Sequence, residues 1–226
     1  METTTFTMTT RVTGTDTNTY EIQRAWDENG KRALILELYP TITKDTPSVM
    51  DLSSLHLHNH ASELELGSVS ICNLYSTVFT HKPLSGQLSL DEENISYIEG
   101  LLEQDFDEII IAWGSSLQTN KSTNEAKLRI LRMLMEKNLK DKVKHIVGEY
   151  MDAKSQVGTH VLYLGLHNSK EVWTCEDYPI ESVIMDLEVS LKEKQEKVAL
   201  EDVKNVNATG RKGRKKKDVL QDQKQA

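Results

Sequence analysis

Arg32-Ala33-Leu34-Ile35-Leu36-Glu37-Leu38-Tyr39-Pro40 is the stretch from which the fold can be read. Ala33–Leu36 is an unbroken apolar run of strand length, the pattern of a strand buried on both faces, and Pro40 ends it. Upstream, Tyr20–Trp26 reads as a second strand, joined to the first through Asp27-Glu28-Asn29-Gly30. Asn-Gly accepts positive φ at both positions and predicts a hairpin there. Before it, residues 3–19 hold ten threonines, with Thr3, Thr5, Thr7 and Thr9 alternating, which suits an edge strand or a partly ordered arm.

Downstream, a polar loop over 41–48 precedes a segment, 49–65, with helical spacing at Leu52 and Leu55, although 51–54 reads equally as loop. Ser68–Tyr75 reads as a buried strand. Ser89-Leu90-Asp91-Glu92 has the form of a capping box, opening a helix whose apolar face is Ile95, Ile98, Leu101 and Leu102. Asp107–Trp113 contains Ile109-Ile110-Ile111, a clear core strand running into Gly114. Ser122 or Thr123 can cap a long helix with Ala126, Ile130, Leu131, Leu134 and Leu139 on one face. Lys144–Gly148 and His160–Leu164 read as strands, and a last helix starts near Pro179. Strands alternating with helices predict an α/β protein: a three-layer α-β-α sandwich around a largely parallel sheet, with a small N-terminal β-hairpin. The chain divides on this reading into a Thr-rich arm or edge strand (1–19), a single α/β domain (20–200) and a disordered basic tail (201–226).

Composition bounds the function. At 226 residues and 38% apolar content the chain can bury a core without disulfides or metal. Cys72 and Cys175 form no metal-ligand spacing and no framework, and no cofactor is implied. No apolar run is long enough to span a bilayer, and Met1–Thr10 lacks the basic stretch and apolar core of a signal peptide, so a cytoplasmic protein without a membrane partner is expected. The net charge of −8 hides an asymmetry: from Glu201 onward there are eight Lys/Arg and four Asp/Glu, leaving 19 basic and 31 acidic residues in 1–200. An acidic body repels a phosphate backbone, whereas the tail, with Arg211-Lys212-Gly213-Arg214-Lys215-Lys216-Lys217, could tether nucleic acid or simply solubilise the chain.

Chemistry is confined to a few places. His56, His58 and His60 would line one face of a strand and could clamp zinc, but on a helix only His56 and His60 share a face, and the flanking sequence favours helix or loop. There is no Gly-rich phosphate loop and no nucleophile elbow. In open α/β sheets ligands sit beyond the carboxyl ends of the strands, where Pro40, Asn73 and Gly114 fall. Asp45, in the loop after a core strand, could orient a water, or cap a helix entering at Thr46-Pro47. The Asn73 amide offers a donor and an acceptor to a nucleobase edge, or satisfies loop backbone. Trp113 could stack on a planar ligand or seal the sheet.

Arg24-Ala25-Trp26-Asp27, Leu36-Glu37-Leu38-Tyr39-Pro40, Asp45-Thr46-Pro47-Ser48, Cys72-Asn73-Leu74-Tyr75 and Ala112-Trp113-Gly114 succeed one another as they do in a bacterial and phage family of unknown function, DUF1643, which the chain resembles over about residues 20–175. More distantly the layout is similar to the uracil-DNA glycosylase superfamily. That resemblance implies a proline-containing loop positioning water, an asparagine reading the base (Asn73, followed by Thr80-His81-Lys82-Pro83) and a histidine loop near the C-terminus. The chain departs from the family at Leu38-Tyr39-Pro40-Thr41, where an asparagine is lost, and after Gly165-Leu166, where Trp173-Thr174-Cys175-Glu176 stands in place of a His-Pro motif. His167, seven residues before Thr174, could serve only if the loop folds back. The expectation is a pocket protein binding a nucleobase, nucleotide or nucleic acid, with Tyr39, Pro40, Asn73, Trp113, Gly114 and His167 around the ligand and catalysis weakened. The alternatives are an N-glycosidic-bond hydrolase with Asp45 as its water-orienting carboxylate, and a phage or mobile-element interaction protein docking a basic partner through its acidic surface.

Overall fold

A computed structural model of the chain describes residues 1–151 and 157–194. Seven strands, β1 (Thr9–Gly14), β2 (Thr19–Ala25), β3 (Lys31–Glu37), β4 (Leu66–Asn73), β5 (Glu108–Ile111), β6 (Val143–Gly148) and β7 (Trp173–Asp177), form one sheet in the order β1-β2-β4-β3-β5-β6-β7. The helices are α1 (Leu52–Asn59), α2 (Glu92–Leu101), α3 (Lys121–Glu136), α4 (Val161–His167) and a further helical stretch over 180–194. Met1–Ile184 forms one compact unit, which holds the sheet. The basic tail expected over 201–226 lies outside the described residues. No helix among the described residues is long and apolar enough to cross a membrane.

The protein is α/β with a mixed sheet, and the expectation of a largely parallel one is corrected: β4-β3, β3-β5 and β5-β6 are parallel, whereas β1-β2, β2-β4 and β6-β7 are antiparallel. The hairpin expected at Asn29-Gly30 is also corrected. Strand β4 lies between β2 and β3, so these two never pair. The 27–30 segment instead steps over the start of β4, where Trp26 N–H and Asp27 N–H both donate to Gly67 O. A Cβ on Gly30 would lie 2.5 Å from Gly67 N, and one on Gly67 only 2.0 Å from Asp27 O, so the crossing needs glycine on both sides. The N-terminal hairpin is β1–β2.

His160–Leu164, expected as a strand, opens α4, because the His160 imidazole caps the Leu162 N–H at 3.1 Å and Val161, Leu164 and Gly165 bury one helical face. The last strand is β7, whose short, mixed Trp-Thr-Cys-Glu-Asp run gives little strand signal in the sequence; it pairs as an edge strand and fully buries Trp173 alone. Two caps also differ from the sequence reading: Asp91, not Ser89, caps α2, and Asn120, not Ser122 or Thr123, caps α3. In α1 the face turned inward is Ser53, Ser54 and Leu57, while Leu52 and Leu55 are exposed.

Alternation along the strands decides which side chains share a face. Ala33 and Ile35 of β3, Val69 and Ile71 of β4, and Ile110 of β5 with Ala112 just beyond it form one core cluster with Leu57 of α1 and Val161 and Leu164 of α4. Each large apolar side chain among them contributes roughly 1.5–3 kcal/mol by leaving water. The next residues of the same face, beyond the last apolar layer, are Glu37, Asn73 and Gly114.

Candidate functional site at the carboxyl ends of the strands

The parallel register of β3 and β4 sets Glu37 directly beside Asn73. Both are deeply buried, Glu37 at 7% and Asn73 at 2% exposure. The main chain around them is fully used: Leu74 N–H donates to Glu37 O at 3.0 Å, Tyr75 N–H to Leu38 O at 3.1 Å, and Asn94 Nδ2 to Asn73 O at 2.9 Å. The side chains are not. Asn73 Oδ1 is buried without a hydrogen-bond partner among the described residues. Burial, with the charge of Asp51 behind it, raises the Glu37 carboxyl to about 8, and no hydrogen bond opposes the shift. A buried polar group left unbonded costs stability; Asn73 Oδ1 is one, and its place in register beside the raised Glu37 carboxyl makes this end of the sheet the candidate site.

Asp51 lies close enough for its charge to act on Glu37, and His160 approaches Gly114 beyond the end of the neighbouring strand β5. Asp51 is the N-cap of α1, accepting from Ser54 N–H at 2.8 Å and from the Thr41 hydroxyl at 2.5 Å. Its charge acts on Glu37, on His160 and on the buried Arg24, whose guanidinium donates to Val49 O at 2.7 Å. His160 caps α4 through Nδ1, so the proton of its neutral ring sits on Nε2, and burial lowers its pKa. Gly114 allows this approach: it adopts φ +66°, and a Cβ there would lie 2.9 Å from His160 Cβ. Lys127 donates to Gly114 O at 3.0 Å, and burial lowers its ammonium to about 8.

Of the residues expected from sequence, Asn73 and Gly114 fall here. Trp113 is 3% exposed, with Lys127 Nζ 5.5 Å from its ring and a hydrogen bond to Tyr178, so it is built into the core. Tyr39 is half-buried against Phe79, and Pro40 is buried with its carbonyl accepting from Phe79 N–H at 3.0 Å. Asp45 is exposed, pairs with Lys44 at 3.2 Å, and caps no helix; Asp51 does so instead. His167 is exposed at the far end of α4, its ring tilted against Tyr163 with centroids 4.3 Å apart. The three histidines of α1 and its cap go separate ways: His56 packs on Gly165, His58 meets Trp26 and Phe6, and His60 stacks on Trp173 at 3.8 Å and bonds Glu63. Among the described residues no group of three or more His, Cys, Asp or Glu is placed to hold a metal ion.

Sequence reasoning missed Glu37, Asp51 and His160. A carboxylate inside an otherwise apolar core strand was the available signal for Glu37, and a Gly-Thr-His run before an apolar turn was the one for His160.

Residues 19–160 match a family described as a protein of unknown function, DUF1643. No curated protein and no solved structure matches the chain.

Proposed function

We propose that this chain, which belongs to the DUF1643 family, is a pocket protein whose ligand is a nucleobase, nucleoside or nucleotide, read at its edge by Asn73 and Glu37. The observation that carries the reading is the buried, unpartnered Asn73 amide oxygen set in register beside the unpartnered Glu37 carboxyl. Together they offer hydrogen-bond donors and acceptors within one planar ligand's width, at the strand ends where α/β sheets bind ligands. Tyr39, Pro40 and Gly114 line the rim in this reading; His167 reaches it only through movement of the chain around α4. Right-handed crossovers would put α1, which leads from β3 to β4, and α2, which leads from β4 back past β3 to β5, on opposite sides of the sheet. That supports an α-β-α sandwich of the uracil-DNA glycosylase kind.

A second reading, hydrolysis of an N-glycosidic bond, is favoured by Asp51, whose charge acts on Glu37, and the neutral His160 beside Gly114, one able to orient water and the other to donate from Nε2. Asp45 would serve there only if its loop closed over the ligand.

A thermal-shift screen against bases, nucleosides, nucleotides and short single- and double-stranded DNA tests the binding reading. A ligand at about 100 times its Kd adds about 2.7 kcal/mol. The expected result is a shift that disappears in Asn73→Ala; no shift with any of these ligands overturns it. Turnover of a bound nucleoside that is lost in Asp51→Asn would establish the second reading.

A further inference from the structure

The acceptors at this site outnumber its donors. Asn73 Oδ1 is unpartnered, neither oxygen of Glu37 receives a hydrogen bond among the described residues, and both side chains are more than nine-tenths buried. Three oxygens therefore sit on neighbouring residues where β3 and β4 end, with one amide nitrogen on Asn73, and His160, bearing its Nε2–H, approaches Gly114 beyond the end of β5.

We infer that the site selects a guanine-type edge, with N1–H and the exocyclic amine bonding to the Glu37 carboxylate and the Asn73 amide oxygen. The inference rests on the nucleobase reading above and deepens it. Guanine offers three N–H hydrogens on adjacent N1 and N2 atoms, more than any other base edge, and leaves O6 for an N–H donor, either the Asn73 amide nitrogen or His160 Nε2. Uracil and thymine offer a single N–H between two carbonyls, which would leave two of the three oxygens facing carbonyl oxygens. Adenine and cytosine offer one amine beside ring acceptors. A guanidinium ion shares guanine's donors but brings no carbonyl to the amide nitrogen.

Binding then carries a proton change. The free protein holds Glu37 undissociated at neutral pH, and a donor-rich edge requires the carboxylate, so the proton leaves Glu37 for the buffer as the complex forms. The charged group that acts on it is Asp51 at the entrance of α1, which opposes ionisation; Asp51 in turn acts on Arg24 of β2 and on His160 at the entrance of α4, whose pKa burial lowers. Among the described residues no cation contacts the Glu37 carboxyl itself, so the ligand's own N–H groups must stabilise the ion.

Isothermal titration of the full-length protein with guanosine, uridine, cytidine, adenosine and methylguanidine, at pH 6.5, 7.5 and 9 and in two buffers of different ionisation enthalpy, tests this. The expected result is that guanosine binds at least tenfold more tightly than the other nucleosides and methylguanidine. Its Kd should fall roughly tenfold per pH unit up to about 8 and then level off, with close to one proton released per ligand below that pH. Glu37→Gln, isosteric and neutral, should lose at least tenfold in guanosine affinity together with the pH dependence, while keeping its fold by circular dichroism. Preference for uridine, or pH-independent guanosine binding, overturns the inference. If another nucleoside binds best and that binding is lost in Asn73→Ala, the nucleobase reading stands and the guanine assignment falls. If no nucleoside binds, both fall.

Discussion

At the amino end of β3 the Lys31 ammonium lies 2.8 Å from Glu65 and 2.9 Å from Glu108, and the two carboxylates together push its pKa up. At the carboxyl end of the same strand Glu37 has no such partner among the described residues, and Asn73 beside it has none for its amide oxygen. One strand thus carries a satisfied charge at one end and an unsatisfied acid at the other. The amino end pairs its cation with two carboxylates, although Glu108 Oε2 there is itself buried without a hydrogen-bond partner among the described residues. The carboxyl end gives stability up, which is the trade expected where a surface is kept ready for a ligand.

This difference can be broken from either side. The largest expected effect is at Glu37. Folded and unfolded chains are both protonated below about pH 4.5; above that the unfolded chain releases a proton that the folded chain keeps until about 8. The neutral acid's contribution is therefore fully present below pH 4.5, shrinks as pH rises, and is fully lost once pH passes about 8. Glu37→Gln removes that dependence, and urea unfolding should find it more stable than the parent at pH 9 by on the order of 4 kcal/mol, with little difference at pH 4. At the other end the sign reverses. Lys31→Met should destabilise by about 1–2 kcal/mol, because Glu108 is 7% exposed and loses its cation, with the cost moderated by the partial exposure of Lys31.

A comparable loss, about 1–3 kcal/mol, is expected for Gly114→Ala, since φ +66° and the 2.9 Å approach to His160 Cβ both oppose a methyl group; a thermal melt reads it. The smallest effect sharpens the comparison most. Asp51→Asn keeps a capping side chain but takes a negative charge from the neighbourhood of the buried Arg24, so it should cost about 1 kcal/mol or less; it also removes the charge that adds to burial in raising Glu37, so the Glu37 titration should move down. Asp45→Asn, exposed and paired with Lys44, should leave that titration in place.

How much of the fold and the site was legible in the sequence depended on how local each signal was. Ala33–Leu36 and Ile109-Ile110-Ile111 are long enough apolar runs to announce core strands, and Asn73 is visible as the polar residue that ends one. The Asn29-Gly30 turn misled because its partner is not the next strand but Gly67, a contact made only once β4 has inserted. His160–Leu164 is a five-residue run, too short for periodicity to separate strand from helix, and the deciding contact is a histidine cap. Strand β7 buries one side chain, so its alternation is faint. Glu37 was hidden by its setting: one charged residue in an apolar stretch is read as an interruption, and only the register with Asn73 shows it as half of a pair.

The most direct test is a titration of the Glu37 side-chain carboxyl carbon by carbon-13 NMR in the ligand-free protein, assigned by comparison with Glu37→Gln. A buried, unpartnered acid should titrate with a midpoint near 8. A midpoint in the ordinary carboxylate range, about 4–5, would mean that Glu37 is solvated or partnered, and that the carboxyl end of the sheet holds no waiting site.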